Sequence, residues 1–462
     1  MNRTIAHSAM VATPRGELKG RWASIRSAAT RFLATPASPL PFGVLRIGLG
    51  LLLIAQTLAV APNLFDFYGS LGLIQAPVVD AIVWPLTPRL SWVIAALSPL
   101  GFDEPAVIRL AFVFHLLSAM AFLLGWRTRV AAVCLWITNL TLMTTAAPHT
   151  YGFDMFVKIA LFYCMFAPIG SALSFDVIAG RTSGAASSGA RLSLRVLQAH
   201  LAVVYAATGI EKASGIQWWN GEALWRTWMR ADLGTIDFSW VAWTPWIAAI
   251  GCWTTLVLEI GYAIFIWPKR TRTWWALAIV ALHVGIVLTL GLVAFACIMI
   301  VLTFSAWLVP YEPRSLRAAR QSGFTVAYDG SCRVCRSVVG LALAVGRCGF
   351  TPVGRSHGRR IPALAGLLDL DAMRTVTRDG RISAGADAFF SMWAHVFGWP
   401  WLQKLARLSP VRAGYSLFAK HRRSFGCRSG CARRNGVEIM IRRDVFGQTR
   451  ADRPANPTSA LW

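Results

Sequence analysis

Eight long apolar runs, at roughly 41–61, 105–125, 130–147, 153–175, 194–213, 245–267, 275–291 and 294–309, constrain this chain more than any other feature. A helix needs about 20 residues to cross the hydrocarbon core, and several of these runs are that long. In lipid every backbone polar group must be satisfied within the segment, so such runs have to be helical. The last two are short and read as one unit broken at Gly291. Segment 81–100 is apolar too, but Pro85, Pro88 and Arg89 cut it, and it reads as interfacial or re-entrant.

Composition agrees. Of 462 residues, 55% are hydrophobic and only 15% charged, where soluble domains carry about 25% charged residues. The net charge of +25 is unevenly spread: residues 311–462 hold 25 Lys/Arg against 9 Asp/Glu. Beside a membrane, a basic tail fits an anionic leaflet, and without an RNA-reading motif no nucleic-acid partner is expected. The lipid bilayer is the first expected partner.

Orientation follows from the basic residues in the short connections. Arg3, Arg15, Lys19, Arg21, Arg26 and Arg31 precede the first run; Arg127/Arg129, Arg181/Arg191 and Lys269/Arg270/Arg272 follow at alternate connections. With eight spans all four groups fall on one side, which predicts a multi-pass protein of a bacterial-type inner membrane with both termini cytoplasmic. Residues 1–40 are basic, lack the apolar core of a signal peptide and read as a disordered segment. The opposite-side loop 214–244 holds Trp218, Trp219, Trp225, Trp228, Trp240 and Trp243, with Trp246 just beyond. It reads either as an aromatic belt at the headgroups or as an aromatic roof over a site for an apolar ring.

Ionisable residues inside apolar runs are costly and usually have a role. Here they are Arg46, Arg109, Asp154, Lys158, His200, Glu211, Lys212, Glu259 and His283. Asp154 and Lys158 have the i, i+4 spacing of a structural ion pair. Arg46 and Arg109 read as snorkelling side chains. His283 lies mid-run, as a hydrogen-bonded core residue or a site residue.

From about Tyr311 the pattern changes. A strand at Phe324–Tyr328 leads into a helix at Cys332–Val345, then a strand near Phe350–Val353. Met373–Arg378 and Arg381–Ser383 form a hairpin about Asp379-Gly380, and Gly385–Phe397 a further helix. Trp401–Arg423 is basic and amphipathic, interrupted by Pro410. The order is that of a small thioredoxin-like α/β domain. The predicted fold is thus a polytopic membrane bundle of about eight spans (41–309), this domain (324–432) and a tail (433–462).

Cys332 and Cys335, three apart at a helix start, lie on one face within disulfide reach. The helix N-terminus, with Arg333 and Arg336 nearby, favours a thiolate at Cys332, making it the attacking sulfur and Cys335 the resolving one. Asp329 and Gly330 supply the turn expected to expose Cys332. Cys427 and Cys431 form a possible second thiol pair. All four cysteines could instead hold a structural zinc, or the dithiol could be inert, but redox is preferred and no metal is expected. Cys134, Cys164, Cys252, Cys297 and Cys348 read as packing residues.

The tail resembles the DCC-type thiol-disulfide oxidoreductases. The resemblance rests on Tyr328-Asp329-Gly330-x-Cys332-x-x-Cys335, Asp379-Gly380-Arg381, Gly385-x-Asp387-Ala388 and the later Tyr415…Ala419-Lys420-His421-Arg422. It covers roughly 324–432 and implies a thioredoxin-like fold with disulfide chemistry. Leu370-Asp371-Ala372 precedes the third strand, where thioredoxin has a proline facing the dithiol. The bundle resembles the HTTM domain, related to the vitamin K-dependent γ-glutamyl carboxylases. The matching residues are Val204-Tyr205-Ala206-Ala207-Thr208-Gly209-Ile210-Glu211-Lys212…Trp219-Asn220-Gly221, Phe67-Tyr68-Gly69…Gly72 and Leu282-His283.

That resemblance implies Lys212 as a base linked to hydroquinone oxidation; Glu211 and His283, read from the costly charges in the bundle, are candidate binding residues. The large external domain with which carboxylases grip a protein substrate is replaced by loop 214–244. The preferred reading is a membrane-anchored thiol-disulfide oxidoreductase coupled to quinone-type chemistry, acting on a quinone or a thiol/disulfide protein partner; no cofactor other than a quinone is implied. The alternatives are a non-catalytic membrane binding or transport module with a dithiol sensor, and a carboxylase- or epoxidase-like enzyme acting through Lys212.

Overall fold

The computed structural model describes residues 14–230, 232–233, 236–312, 323–330, 332–345, 350–354, 372–377 and 379–421. Helices occupy the positions of all eight apolar runs: α2 (Leu40–Val60), α3 (Glu104–Leu124), α4 (Thr128–Thr145), α5 (Gly152–Phe166), α6 (Ser188–Ser214), α7 (Trp246–Phe265), α8 (Lys269–Leu290) and α9 (Val293–Thr303). The last continues as a π-helical turn, Phe304–Leu308. Among the described residues four helices, Leu40–Tyr68, Glu104–Leu124, Trp246–Phe265 and Lys269–Leu290, are long and apolar enough to cross a bilayer. The others are shorter or more polar. Segment 81–100 forms only short helical pieces, such as Leu90–Leu97.

Helix ends follow local chemistry. Gly291, at φ +67°, closes α8 and lets α9 begin two residues later; a left-handed residue there favours glycine. Helix α5 stops at Phe166, well short of 175, because Ala167 precedes Pro168 and adopts the extended conformation that a following proline imposes. Gly125, at φ +70°, ends α3, and a Cβ there would sit 1.9 Å from Arg46 Nη1. Arg46 is fully buried rather than snorkelling. It donates to Phe122 O (3.3 Å) at the C-terminal end of α3 and to Leu173 O, satisfying carbonyls that the helix end leaves unpaired.

Two other expectations fail for identifiable reasons. Residues expected to be disordered form helix α1 (Pro14–Ala34). Arg191 and Arg195 on α6 donate to Thr35 O (2.8 Å) and Phe32 O (3.3 Å), and the Arg195 guanidinium lies 4.1 Å from the Phe32 ring. The Asp154–Lys158 ion pair does not form. Asp154 instead accepts from Tyr151 N–H (3.1 Å) and Gln56 Nε2 (3.4 Å), capping α5, while Lys158 Nζ lies 3.5 Å from Met155 Sδ.

The C-terminal domain has a four-stranded sheet of β1 (Thr325–Tyr328), β2 (Thr351–Gly354), β3 (Arg374–Val376) and β4 (Ile382–Ala384), in the order β2-β1-β3-β4. Strand β1 is parallel to β2 (Thr325 opposite Thr351) and antiparallel to β3 (Val326 opposite Thr375); β3 is antiparallel to β4 (Thr375 opposite Ser383). Helix α10 (Arg333–Val345) connects β1 towards β2, and α11 (Ala386–Phe397) follows β4. This is a thioredoxin-like arrangement. Gly380, at φ +77°, makes the hairpin turn, closed by Thr377 N–H to Arg381 O (3.0 Å). The last basic segment is interrupted as expected: a short helix, Leu402–Leu405, ends before α12 (Ser409–His421) begins, with Pro410 in its first turn, where a missing N–H costs nothing.

Candidate functional site

Strand β1 ends on Tyr328, and the chain reverses at Asp329-Gly330, closed by Cys332 N–H to Asp329 O (3.1 Å). Helix α10 begins at the next residue. Cys332 therefore stands at its N-cap, its carbonyl taking the first helical hydrogen bond from Arg336 N–H (3.1 Å). Its Sγ accepts from Cys335 N–H at 3.4 Å. A side-chain acceptor at the N-cap satisfies one orphan donor of the helix, and a thiolate does so better than a thiol because that end carries partial positive charge. Arg336 Nη1 donates to Gly330 O (3.1 Å) and ties the turn to the helix.

The expected exposure of Cys332 is corrected by the structure. Cys332 is wholly buried and Cys335 is 8% exposed. Both belong to a core cluster with Phe324, Tyr328, Val339, Phe350, Met373 and Met392. The cluster gathers side chains from α11 (Met392) and from Phe350, just before β2, around the core that holds the two thiols. Cys427, Cys431 and Cys348 lie outside the described residues, as does any four-cysteine zinc site.

Inside the bundle, Lys212 is paired, though not with its neighbour. Its Nζ donates to Glu259 Oε2 on α7 at 2.7 Å, and Thr208 Oγ1, one turn back on α6, donates to the same oxygen at 3.2 Å. Glu211 is exposed; adjacent helical residues do not face each other, so it cannot share the Lys212 environment. His283 on α8 is buried, and its Nε2 shares a hydrogen bond with Tyr205 OH on α6 (2.9 Å). Tyr205 packs on Tyr262 of α7, with ring centroids 4.3 Å apart. His283 Nδ1 is buried without a hydrogen-bond partner among the described residues, and the buried Tyr262 OH faces Thr303 and Trp307. Helices α6 to α9 thus build a polar cluster inside an apolar bundle. Lys212 Nζ lies 5.6 Å from the centroid of the Trp218 ring, and Trp243 is 88% exposed.

Sequence reasoning noticed Glu259 as a costly charge, but not that it pairs with Lys212. Tyr262 carried no signal beyond an aromatic in an apolar run.

The fold and the two sites define a multi-pass membrane protein that carries a thioredoxin-like dithiol domain. Residues 90–307 match the HTTM domain, and residues 326–428 match the DCC1-like thiol-disulfide oxidoreductase domain. The chain joins an HTTM domain to a DCC1-like domain in that order. No curated protein and no solved structure matches it. The two domains together support a membrane thiol-disulfide oxidoreductase.

Proposed function

We propose that Cys332 and Cys335 perform dithiol–disulfide exchange at the membrane, with Cys332 as attacking sulfur. In the reducing direction the Cys332 thiolate attacks a substrate disulfide, its S–S bond breaks, and a mixed disulfide forms as one substrate thiolate leaves. The Cys335 thiolate then attacks Cys332 Sγ and releases the second substrate thiol. Two electrons pass to the substrate, and the protein is left with a Cys332–Cys335 disulfide. The observation that carries this reading is the Cys335 N–H donated to Cys332 Sγ at the start of α10 within a DCC1-like match. Asp329 and Gly330 hold the approach to that sulfur through their turn. Because both thiols are buried, exchange requires the cover to open or a narrow substrate to enter.

The test is trapping. Cys335→Ser should accumulate a mixed disulfide with an oxidised thiol substrate, while Cys332→Ser should accumulate none. Equal trapping by both variants, or by neither, removes the assignment.

The bundle cluster supports coupling to a quinone. An apolar ring with two oxygens suits a site built from His283, Tyr205, Tyr262 and the Lys212–Glu259 pair beneath Trp218. The ammonium of Lys212 is occupied by Glu259, so the base role implied by the carboxylase resemblance requires that contact to break first. Glu211 has no part in this site. Reduced protein mixed with a soluble quinone should show quinone reduction that Lys212→Ala and His283→Ala lower; unchanged rates in both would remove the coupling. Both termini are proposed to be cytoplasmic.

A further inference from the structure

The dithiol domain carries an exposed aromatic knob that its redox chemistry does not use. Helix α11 ends at Gly398, at φ +72°, where Trp399 N–H returns to Ala394 O (3.0 Å). The chain then turns sharply through Trp399-Pro400-Trp401, and Leu402 N–H and Lys404 N–H fix the turn on Trp399 O (3.1 Å) and Trp401 O (2.9 Å). Trp399 and Trp401 are 50% and 53% exposed and stack at 6.1 Å; Leu408, in the same short stretch of chain, is 49% exposed. The knob is rooted. Phe397 lies 5.2 Å from Trp399 and 5.4 Å from Trp393, and both Phe397 and Trp393 pack on the core that holds Cys332.

The surrounding charge has one sign. Between Asp387 and Glu438 there is no acidic residue. Lys404 and Arg407 are exposed within nine residues of Trp399, and among the described residues neither has an ion-pair partner. Arg412, by contrast, is paired with Asp387 at 3.3 Å.

We infer that Trp399, Trp401, Leu408, Lys404 and Arg407 form a docking surface for the anionic headgroup layer of the bilayer that the HTTM domain occupies. Indole rings favour the headgroup depth, where an apolar body and an N–H are both accommodated. Unpaired cations beside them attract anionic lipid. A protein partner would need complementary carboxylates brought from solution. The bilayer is supplied by the same chain, at the high local concentration a tether gives.

Hydrogen–deuterium exchange of the full-length protein in nanodiscs tests this. Peptides over 399–408 should exchange more slowly in phosphatidylglycerol than in phosphatidylcholine nanodiscs, with two cations giving a roughly thirtyfold shift towards the docked state. Lys404→Gln/Arg407→Gln should abolish the lipid difference, and Trp399→Ser/Trp401→Ser should remove protection in both lipids. Unchanged exchange over 325–343 in these variants certifies the fold. Equal exchange in both lipids overturns the inference. So does protection in detergent that rises with protein concentration, which would assign the knob to a second copy of the chain.

Discussion

Replacing Glu259 by Gln tests the bundle site most directly, because it removes the charge and keeps the shape. The Lys212 Nζ–Glu259 Oε2 distance is 2.7 Å, with Lys212 26% and Glu259 11% exposed at the side chain. Removing one partner of a fully buried ion pair in water-soluble proteins costs about 3–5 kcal/mol. Interhelical polar pairs within membranes couple by only about 0.6 kcal/mol on average and about 1.7 at most, because the unfolded helices find other partners. The present pair falls between these limits. It is charged, which raises its value, but a quarter of the Lys212 side chain reaches solvent, and a flipped Gln could still accept one hydrogen bond. The expected cost of Glu259→Gln is therefore about 2 kcal/mol, with a coupling of about 1.5 kcal/mol to Lys212→Met. Unfolding free energies from detergent titration in mixed micelles would supply the four corners of the double-mutant cycle. A coupling below about 0.5 kcal/mol, the ordinary additivity error, would show that the two charges do not depend on each other.

Three further outcomes follow from specific contacts. Gly209→Ala should weaken the α6–α7 contact by about 1–3 kcal/mol, because its Cβ would lie 3.0 Å from the Ile260 backbone nitrogen and 3.0 Å from Glu259 Cβ; unfolding free energy measures it, and loss of the Lys212–Glu259 coupling should accompany it. Asp176, in the connection before α6, is buried, which alone would raise its carboxyl. Its bonds from the Thr128 hydroxyl (2.6 Å) and N–H (2.8 Å), Arg181 (3.0 Å) and Arg127 N–H (3.0 Å) outweigh burial and hold it below the usual carboxylate range. A depressed folded value stabilises above the unfolded pKa of about 3.9 and is lost as pH falls through the folded one. The stability gap between wild type and Asp176→Asn should accordingly be full near neutral pH and close below about pH 4, as acid unfolding curves of the two would show. Met392→Ala, which removes a fully buried member of the core cluster that holds Cys332, should speed Cys332 alkylation while lowering domain stability by about 2–5 kcal/mol; an unchanged alkylation rate would mean that α11 does not cover the thiol.

Features set by local rules were legible in the sequence. The eight helices follow from apolar length, the break at Gly291 from the one residue type that favours a left-handed turn, and the β3–β4 hairpin from Asp379-Gly380. What failed depended on distant partners. Helix α1 is not apolar, and it is held by Arg191 and Arg195, more than 150 positions away. Lys212 meets Glu259 across 47 positions, a pairing that no local spacing announces. Asp154 shows two local rules in competition. Its spacing from Lys158 suggested an ion pair, but the unpaired N–H groups at the helix start take the carboxylate first. The dithiol motif was plain in the sequence; its burial was not, because Phe350 and Met392 come from later in the chain.

The helix that carries Lys212 also restricts how the two sites can communicate. Arg195 and Lys212 are seventeen positions apart on α6, about 25 Å along a helix axis and close to the ~30 Å hydrocarbon thickness. At the Arg195 end, Tyr311 OH accepts from Arg272 (3.2 Å), and its ring lies 5.1 Å from the Arg191 guanidinium and 5.7 Å from that of Arg195. The chain thus leaves the bundle at the end opposite Lys212. Only ten residues, 313–322, separate Glu312 from Gly323, and ten residues reach at most about 35 Å. A helix of ten residues would span only about 15 Å, and an extended crossing would leave backbone polar groups unsatisfied in hydrocarbon, so with α6 upright in the bilayer the dithiol domain does not reach the Lys212 face. Among the described residues of the bundle no Cys-x-x-Cys pair occurs: Cys134, Cys164, Cys252 and Cys297 are free and stand singly on α4, α5, α7 and α9. A carrier soluble in hydrocarbon that takes two electrons and two protons meets the requirement, and a quinone is such a carrier. Lys212→Ala should then slow quinone-dependent reoxidation of Cys332/Cys335 and leave their reduction by a soluble dithiol unchanged. Equal loss in both assays would mean that the variant damages the fold and that the separation of the two sites plays no part in the chemistry.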